Sequence, residues 1–363
     1  MTIIARYALL IVSCANGYAQ IRLNQIQVIG SHNSYHVGLA PSETGWLTKL
    51  NPKSASGLDY RHPTLDVQLS MGVRQLEIDI YADVKGGRYA HPANLKFVSD
   101  LGLPADPPFD PDDLFLKPGF KVMHAQDIDY RSSCQPFTGC LAVILNWSKA
   151  HPGHLPLFIL IETKDGRGRP FQVETKPFTP AVFDDLDKEI RSVIPADKVI
   201  VPDDVRGKHA TLEEAVLKDG WPSLDSSRGK VVFLLDQRRA GPDYIAGRPS
   251  LKGRVIFTNA EPGTPDAAFV EVNDPLKNPG LIPGLVKSGY LVRTRTDADT
   301  VQARSGDTKM RDAALASGAQ ILSSDYYFTE KASWTGFSVN FPKGEVARCN
   351  PVVGPAGCGE IRP

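Results

Sequence analysis

The chain has no net charge: 41 basic and 41 acidic side chains offset one another among 363 residues. No overall field therefore draws it towards nucleic acid or an anionic membrane, and any lipid contact must be local. It also lacks an internal repeat of fixed period and a Ser/Gly linker, and it carries no motif of a zinc hydrolase or a nucleic-acid-binding protein. What remains is an ordinary globular composition, 42% hydrophobic and 23% charged, in a chain long enough for a sizeable core. Global disorder and collagen-like repeats are excluded.

Cysteine is scarce, five in all. The first, Cys14, falls in MTIIARYALLIVSCANGYAQ, where Arg6 precedes an apolar run from Tyr7 to Val12 and small residues lead to Ala19. This pattern predicts a secretory signal over 1–19, cleaved after Ala19, with 20–363 as a single domain in an extracellular or periplasmic setting. A buried first strand or helix fits less well, because a polar break precedes Ile26. Ile11-Val12-Ser13-Cys14 also loosely matches a lipoprotein cleavage box that would lipidate Cys14; simple secretion is favoured. Cys134, Cys140, Cys349 and Cys358 allow three pairings, and their grouping favours Cys134 with Cys140 and Cys349 with Cys358. Such bridges suit an oxidising compartment, whereas C-x5-C and C-x8-C fit zinc ribbons poorly.

Apolar runs of strand length recur at 26–29, 73–80, 120–123, 157–161, 231–235, 255–257, 290–292 and 319–322. Helical patterns separate most of them, as at 64–71, 142–150, 179–193 and 305–317. Alternating strands and helices indicate βαβ units, and eight of them predict an α/β fold, a TIM-like (β/α)8 barrel. A ninth candidate at 198–201, followed by a helical stretch at 212–217, is taken as an excursion inside the fourth crossover. The proline-rich loop 103–118 is long for a mere connection and is expected to be functional or lid-like.

The first four runs end in residues that do not belong in a core: His32-Asn33, Glu77-Ile78-Asp79, His124, and Glu162-Thr163-Lys164. In a parallel barrel such termini gather on the C-terminal face. Alternation turns Glu77 and Asp79 to the same inner side. Three carboxylates (Glu77, Asp79, Glu162) crowded in one mouth would repel one another and rise in pKa unless a cation neutralised them. Together with the Asn33 carbonyl they form an all-oxygen set that suits Ca2+ or Mg2+, with Ca2+ favoured outside the cell. His32 and His124 can divide the roles of general base and general acid, and Lys164 would offer a fixed positive charge to a phosphate. Taken singly, each of these residues reads as structural; it is their joint placement that points to catalysis.

GSHNSYH, RQLEIDIY, VMHA and ILIETKD, in this order, resemble the secreted calcium-dependent phosphatidylinositol-specific phospholipase C family. The similarity continues through IVPDDVRG, GWPSLDSSRGKVVFLLD, VRTRTDADT and GAQILSSDYY. The resemblance implies a barrel that cleaves the glycerol oxygen–phosphorus bond with the inositol 2-hydroxyl as internal nucleophile. The products would be diacylglycerol and a cyclic inositol phosphate, which is then slowly hydrolysed. It implies His32 and His124 as the acid/base pair and Asn33, Glu77, Asp79 and Glu162 as calcium ligands. Which histidine begins as base stays open, since related enzymes also allow Glu77 to accept the first proton. Metal-independent relatives lack the carboxylates and place an arginine where the metal would sit; this chain keeps the carboxylates.

Arg293 and Arg295 alternate to one side and either grip phosphate or inositol hydroxyls or pair with Asp297 and Asp299. Asp325 and Tyr326 either bind the sugar or cap the barrel, as does Asp236, and His36 reads as a loop hydrogen-bond partner. Trp46-Leu47, Phe109 and Phe115-Leu116 are candidates for contact with a membrane surface or for packing under their own loops. The expected partner is phosphatidylinositol or a related phosphodiester, with no nucleic acid, and the expected state is a monomer. The competing functions are a glycerophosphodiester phosphodiesterase, which would typically begin its motif His-Arg-Gly, a phosphodiesterase acting on a glycan, and a non-catalytic secreted binding module.

Overall fold

The structure, a computed structural model, describes residues 20–363 except Arg167 and Arg169. The expected signal segment and Cys14 lie outside the described residues. Strands β1 (Ile26–Ser31), β2 (Gln75–Tyr81), β4 (Leu157–Thr163) and β6 (Val231–Leu235) are almost wholly buried. Parallel strands are covered on both faces, which is why these read as near-continuous apolar runs. With β7 (Ile256–Thr258), β8 (Phe269–Glu271), β9 (Leu291–Arg295) and β10 (Ile321–Ser324) they form eight parallel staves.

Parallel pairing runs β7–β6–β4–β2–β1–β10–β9–β8. One bridge, Asn259 to Phe269, joins β7 back to β8 and closes the ring. The β1–β2 seam is narrow and paired only at Gly30 with Gln75. A Cβ at Gly30 would stand 2.1 Å from Gln75 Oε1 and 2.6 Å from its Cβ, so any larger residue would force the two strands apart.

One strand expectation is corrected. The run at 120–123 is not a stave: only β3 (Lys121–Val122) is extended, and it pairs antiparallel with the upper end of β2. The chain reaches β2 from above, at the end of the long 103–118 loop, and must run downwards. His124 is therefore lowered into the mouth rather than carried up to it. The missing stave is β8, three residues long and too short to stand out as a run. The stretch at 198–201 does contain a strand, β5 (Val199–Ile200), parallel to the first two residues of β6. β7 takes the last three residues of β6, so β5 lies beside the ring within the β4–β6 crossover. β11 (Ala347–Cys349) pairs antiparallel with β1.

Helices α1 (Pro41–Leu50), α2 (Pro52–Gly57) and α3 (Leu65–Met71) cross from β1 to β2. α4 (Ala93–Asp100) and α5 (Phe137–Ala150) lie between β2 and β4. α6 (Pro180–Val193) follows β4, its first turn capped by Thr179 Oγ1, which accepts from the Val182 N–H. The helix expected over 305–317 is broken at Gly306, whose φ of 72° ends Val301–Ser305 before Lys309–Ser317 begins.

Two small apolar clusters lie under the mouth loops. Trp46, Leu47, Ala55, Val98 and Ile128 form one; Tyr81, Tyr89, Phe115, Met123 and Tyr130 form the other. The loop 103–118 is bonded to its neighbours: Asp106 accepts from the Ser42 and Glu43 N–H groups, and Pro107 O accepts from Arg131. Both expected disulfides are present, with Cα separations of 5.1 and 6.2 Å.

Candidate active site

Register assembles the site. Asp79 lies directly across from Glu162, Arg293 across from Ile321, and Arg295 across from Ser323. The neighbouring ends of β9, β10, β1, β2 and β4 therefore deliver Arg295, Asp325, His32, Glu77 and Glu162 in sequence around one rim. His32, Asn33, Tyr60, His124 and Asp325 line a cleft of about 750 Å³.

His32 Nδ1 lies 2.8 Å from Asp325 Oδ1, and its Nε2 lies 3.0 Å from Arg295 Nη1. A guanidinium only donates, so Nε2 must accept, and the ring is neutral with its proton on Nδ1 directed at Asp325. Burial, then the Arg295 and Arg293 charges, hold the imidazole well below its usual range. Nε2 is also 3.7 Å from Glu77 Oε1.

Ligand atoms of Glu77, Asp79 and Glu162 lie within 4.8 Å of one another. Burial raises Glu77 to about 7 against the opposing pull of Arg293, and burial lifts Asp79 well above the carboxylate range. Glu162 behaves differently: burial would raise it, but Lys164 outweighs that and holds it low. Lys164 Nζ stands 2.8 Å from Asp79 Oδ2 and 2.7 Å from Glu162 Oε2. The charge expected to meet a phosphate is thus engaged by two of the acids.

Asn33 sits just past the end of β1 at a φ of 45°, a backbone conformation asparagine tolerates better than most residues. Its Nδ2 donates to Tyr60 Oη at 2.8 Å. Among the described residues, Asn33 Oδ1 and Asp79 Oδ1 are buried without a hydrogen-bond partner. Orphaned oxygens beside three carboxylates are what a hard-cation site needs.

His124 Nδ1 lies 3.0 Å from Asp129 Oδ2, which leaves its other nitrogen towards the cleft. Arg293 pairs with neither Asp297 nor Asp299. It is buried, donating to Glu77 Oε2 at 2.5 Å and to Glu271, Asn273 and Ser323, with Asp236 adding negative charge nearby. Arg295 instead donates to Asp325 Oδ2 at 3.2 Å as well as to His32. The Tyr326 ring lies edge-on to Trp334 and Phe337 and is not part of the cleft wall.

Of the residues considered for membrane contact, Trp46, Leu47 and Phe115 are buried in the two loop clusters. Trp46 stacks on Phe97 at 5.7 Å, and Phe109 packs edge-on to Phe115 and Tyr130. Only Leu116 is exposed.

A family model described as phosphoinositide phospholipase C, Ca2+-dependent, matches residues 21–351. The chain belongs to this calcium-dependent phospholipase C family. Solved structures of similar fold include a calcium-dependent phosphoinositol-specific phospholipase C from the Gram-negative Pseudomonas sp., in a myoinositol complex. It is 16% identical, with 91% of this chain and 96% of that one covered and a TM-score of 0.54. A Ca2+-dependent phosphatidylinositol-specific phospholipase C from Streptomyces antibioticus is 20% identical, with 84% and 95% covered and a TM-score of 0.52. At these identities the likeness is one of fold. No curated protein matches the chain in sequence.

The phospholipase C fold also places residues in the site that sequence reasoning missed. Asp129 is buried between two imidazoles, His36 and His124. Tyr60 holds Asn33, and His62 Nε2 donates to His32 O at 2.8 Å, with burial lowering its imidazole to about 4. Glu271, on the unrecognised stave, is the second acid on Arg293. The one available signal was Asp127-Ile128-Asp129, a pair of acids close behind His124.

Proposed function

We propose that this chain is a secreted enzyme that cleaves phosphatidylinositol between the glycerol oxygen and phosphorus, releasing diacylglycerol and a cyclic inositol phosphate. One observation carries the reading. Two imidazoles, each backed by a buried carboxylate, open on one cleft, and the first touches the acidic cluster.

His32 is the initial base. Its neutral ring keeps the Nδ1 proton on Asp325 and presents the Nε2 lone pair, which takes the proton of the inositol 2-hydroxyl as that oxygen bonds to phosphorus. The imidazolium so formed lies against the Asp325 carboxylate, and Arg295, released from Nε2, turns to a phosphate oxygen. His124, with Nδ1–H on Asp129, gives its Nε2 proton to the departing glycerol oxygen. Asn33, Glu77, Asp79 and Glu162 would hold calcium; their donor set and the orphaned Asn33 Oδ1 fit a hard cation. When bound, calcium supplies positive charge that offsets the phosphate and acidifies the attacking hydroxyl.

The proposed setting is extracellular or periplasmic, after loss of 1–19, as a monomer at a lipid surface. The two disulfides support an oxidising compartment. Among the described residues no helix is long and apolar enough to cross a membrane. Exposed Val84 and Leu116, on loops joined by the Gly87 N–H to Phe115 O bond, are the proposed lipid contacts.

Phosphorus NMR of the products from phosphatidylinositol, with calcium and with a chelator, tests the reading. A cyclic phosphate that forms only with calcium is expected. Glycerol 3-phosphate as a product would instead assign a glycerophosphodiester phosphodiesterase, and no turnover of any phosphodiester would leave a binding module.

A further inference from the structure

His36 takes no part in the chemistry above, yet its surroundings are as closely built as those of a catalytic group. The side chain is fully buried. Its Nε2 lies 2.9 Å from Asp129 Oδ2, the same oxygen that His124 Nδ1 reaches at 3.0 Å. An ionised carboxylate only accepts, so both imidazoles must donate to it, and a single oxygen carries two N–H groups.

The main chain pins each partner. The His36 N–H donates to Asn33 O at 2.8 Å, and His36 O accepts from the His62 N–H at 2.8 Å. The imidazole is held 4.4 Å from the Tyr60 ring. Asp129 exchanges two 2.8 Å main-chain hydrogen bonds with Ala125, the residue after His124. Among the described residues, neither His36 Nδ1 nor Asp129 Oδ1 has a hydrogen-bond partner. The Asp129 carboxylate is thus oriented by the two imidazoles alone. Burial would raise its pKa, but His36 foremost, and then His124, hold it well below the usual range.

We infer that His36 is a positioning residue: by fixing Asp129 Oδ2 it keeps the His124 Nδ1–H on that carboxylate, so that the second proton of the His124 imidazolium sits on Nε2 and is aimed at the leaving-group oxygen. The inference rests on the acid role proposed for His124. Without the His36 N–H, Asp129 is free to turn its unpartnered oxygen towards His124, and the ring is no longer held to one direction. The damage should therefore fall on protonation of the leaving group and spare substrate binding.

The test compares His36→Leu, which removes the N–H, with His36→Gln, which keeps one at similar reach. Each is assayed on two soluble substrates with the same inositol phosphate, a short-chain phosphatidylinositol and a p-nitrophenyl ester whose leaving group departs without a proton. For His36→Leu, kcat on the lipid should fall about ten- to hundredfold with KM within about twofold, the scale of one lost hydrogen bond to a charged group. On the aryl ester kcat should fall less than about threefold, and His36→Gln should recover most of the lipid activity. Equal loss on both substrates, or glutamine no better than leucine, overturns the inference.

His124→Ala on the same pair separates the two readings. If it shows the leaving-group dependence and His36→Leu does not, this inference falls alone; if His124→Ala loses both substrates equally, the acid role falls and this inference with it. Should the leucine variant fail to fold, the imidazole 15N shifts of the unaltered protein decide. His124 protonated on Nδ1 is expected, and a population protonated on Nε2 alone overturns the inference.

Discussion

Asp325→Asn replaces a single oxygen in the site, and its cost follows from counting donors. Asp325 Oδ1 accepts from His32 Nδ1 at 2.8 Å and Oδ2 accepts from Arg295 Nη2 at 3.2 Å. An amide offers one accepting end. With its oxygen towards His32, its NH2 meets the Arg295 guanidinium donor to donor. Turned over, the NH2 meets Nδ1, and the ring must move its proton to Nε2, where Arg295 Nη1 already donates from 3.0 Å. Either arrangement loses a hydrogen bond to a charged group, about 1.5–3 kcal/mol. At about 1.4 kcal/mol per decade that predicts a ten- to hundredfold fall in kcat/KM. A forced tautomer change removes the basic lone pair itself and deepens the loss towards roughly 10⁴, the scale seen when a serine-protease triad aspartate is changed in the same way. The assay is the initial rate on monomeric short-chain phosphatidylinositol at saturating calcium, with calcium affinity measured alongside. A kcat/KM within about threefold of the unaltered enzyme, with calcium binding intact, would refute the dyad reasoning.

Glu162→Gln should weaken calcium binding by calorimetry at least tenfold, since loss of even an outer partner of a metal ligand costs about that much; unchanged affinity would remove Glu162 from the ligand set. Trp46→Ala should cost about 3–5 kcal/mol of stability by denaturant titration, as for a buried aromatic, and should lower activity equally on vesicles and on a soluble substrate. A loss confined to vesicles would return Trp46 to the membrane. His154, with Ser148 Oγ on Nε2 and Leu155 O on Nδ1, is lowered by burial from 6.5 to about 4. The unfolded chain takes up this proton near pH 6.5 and the folded one only near 4, so the contribution is complete above 6.5 and drains away as pH falls to 4. Between pH 7 and 4 the unaltered protein should lose up to about 3 kcal/mol more than His154→Gln; parallel stability curves would contradict the burial argument.

Seven of the eight staves were legible because a parallel strand covered on both faces must be apolar along its length, and each leaves a run. The run at 120–123 satisfied the same criterion for another reason. Val122 and Met123 are buried against the end of β2 and under the loop cluster. Burial alone says nothing about direction, and direction separates a stave from a short antiparallel return. β8 failed in the opposite sense. Three residues, Phe269–Glu271, suffice where neighbouring strands and one bridge supply the pairing, and so short a run is not distinguishable from loop.

That omission carried into the site. Without β8 there was no Glu271, and the acids available to Arg293 were its neighbours in sequence, Asp297 and Asp299. In the fold Arg293 turns to Glu271 on the neighbouring stave β8 and to Glu77 on β2, beyond the intervening staves β10 and β1, because a guanidinium buried at mid-barrel must find its carboxylates at its own depth. Asp297 lies further on, accepting from Ser324 and from the Asp325 N–H. The same logic separates what was found from what was missed around the imidazoles. His32, His124 and the E-x-D pair announce themselves through side-chain type at strand ends. Asp129 and Tyr60 act by what they hold: Tyr60 takes Asn33 within the β1–β2 connection, and Asp129 meets His36 and His124 through the return of β3 into the mouth, a feature of chain direction that no local pattern encodes.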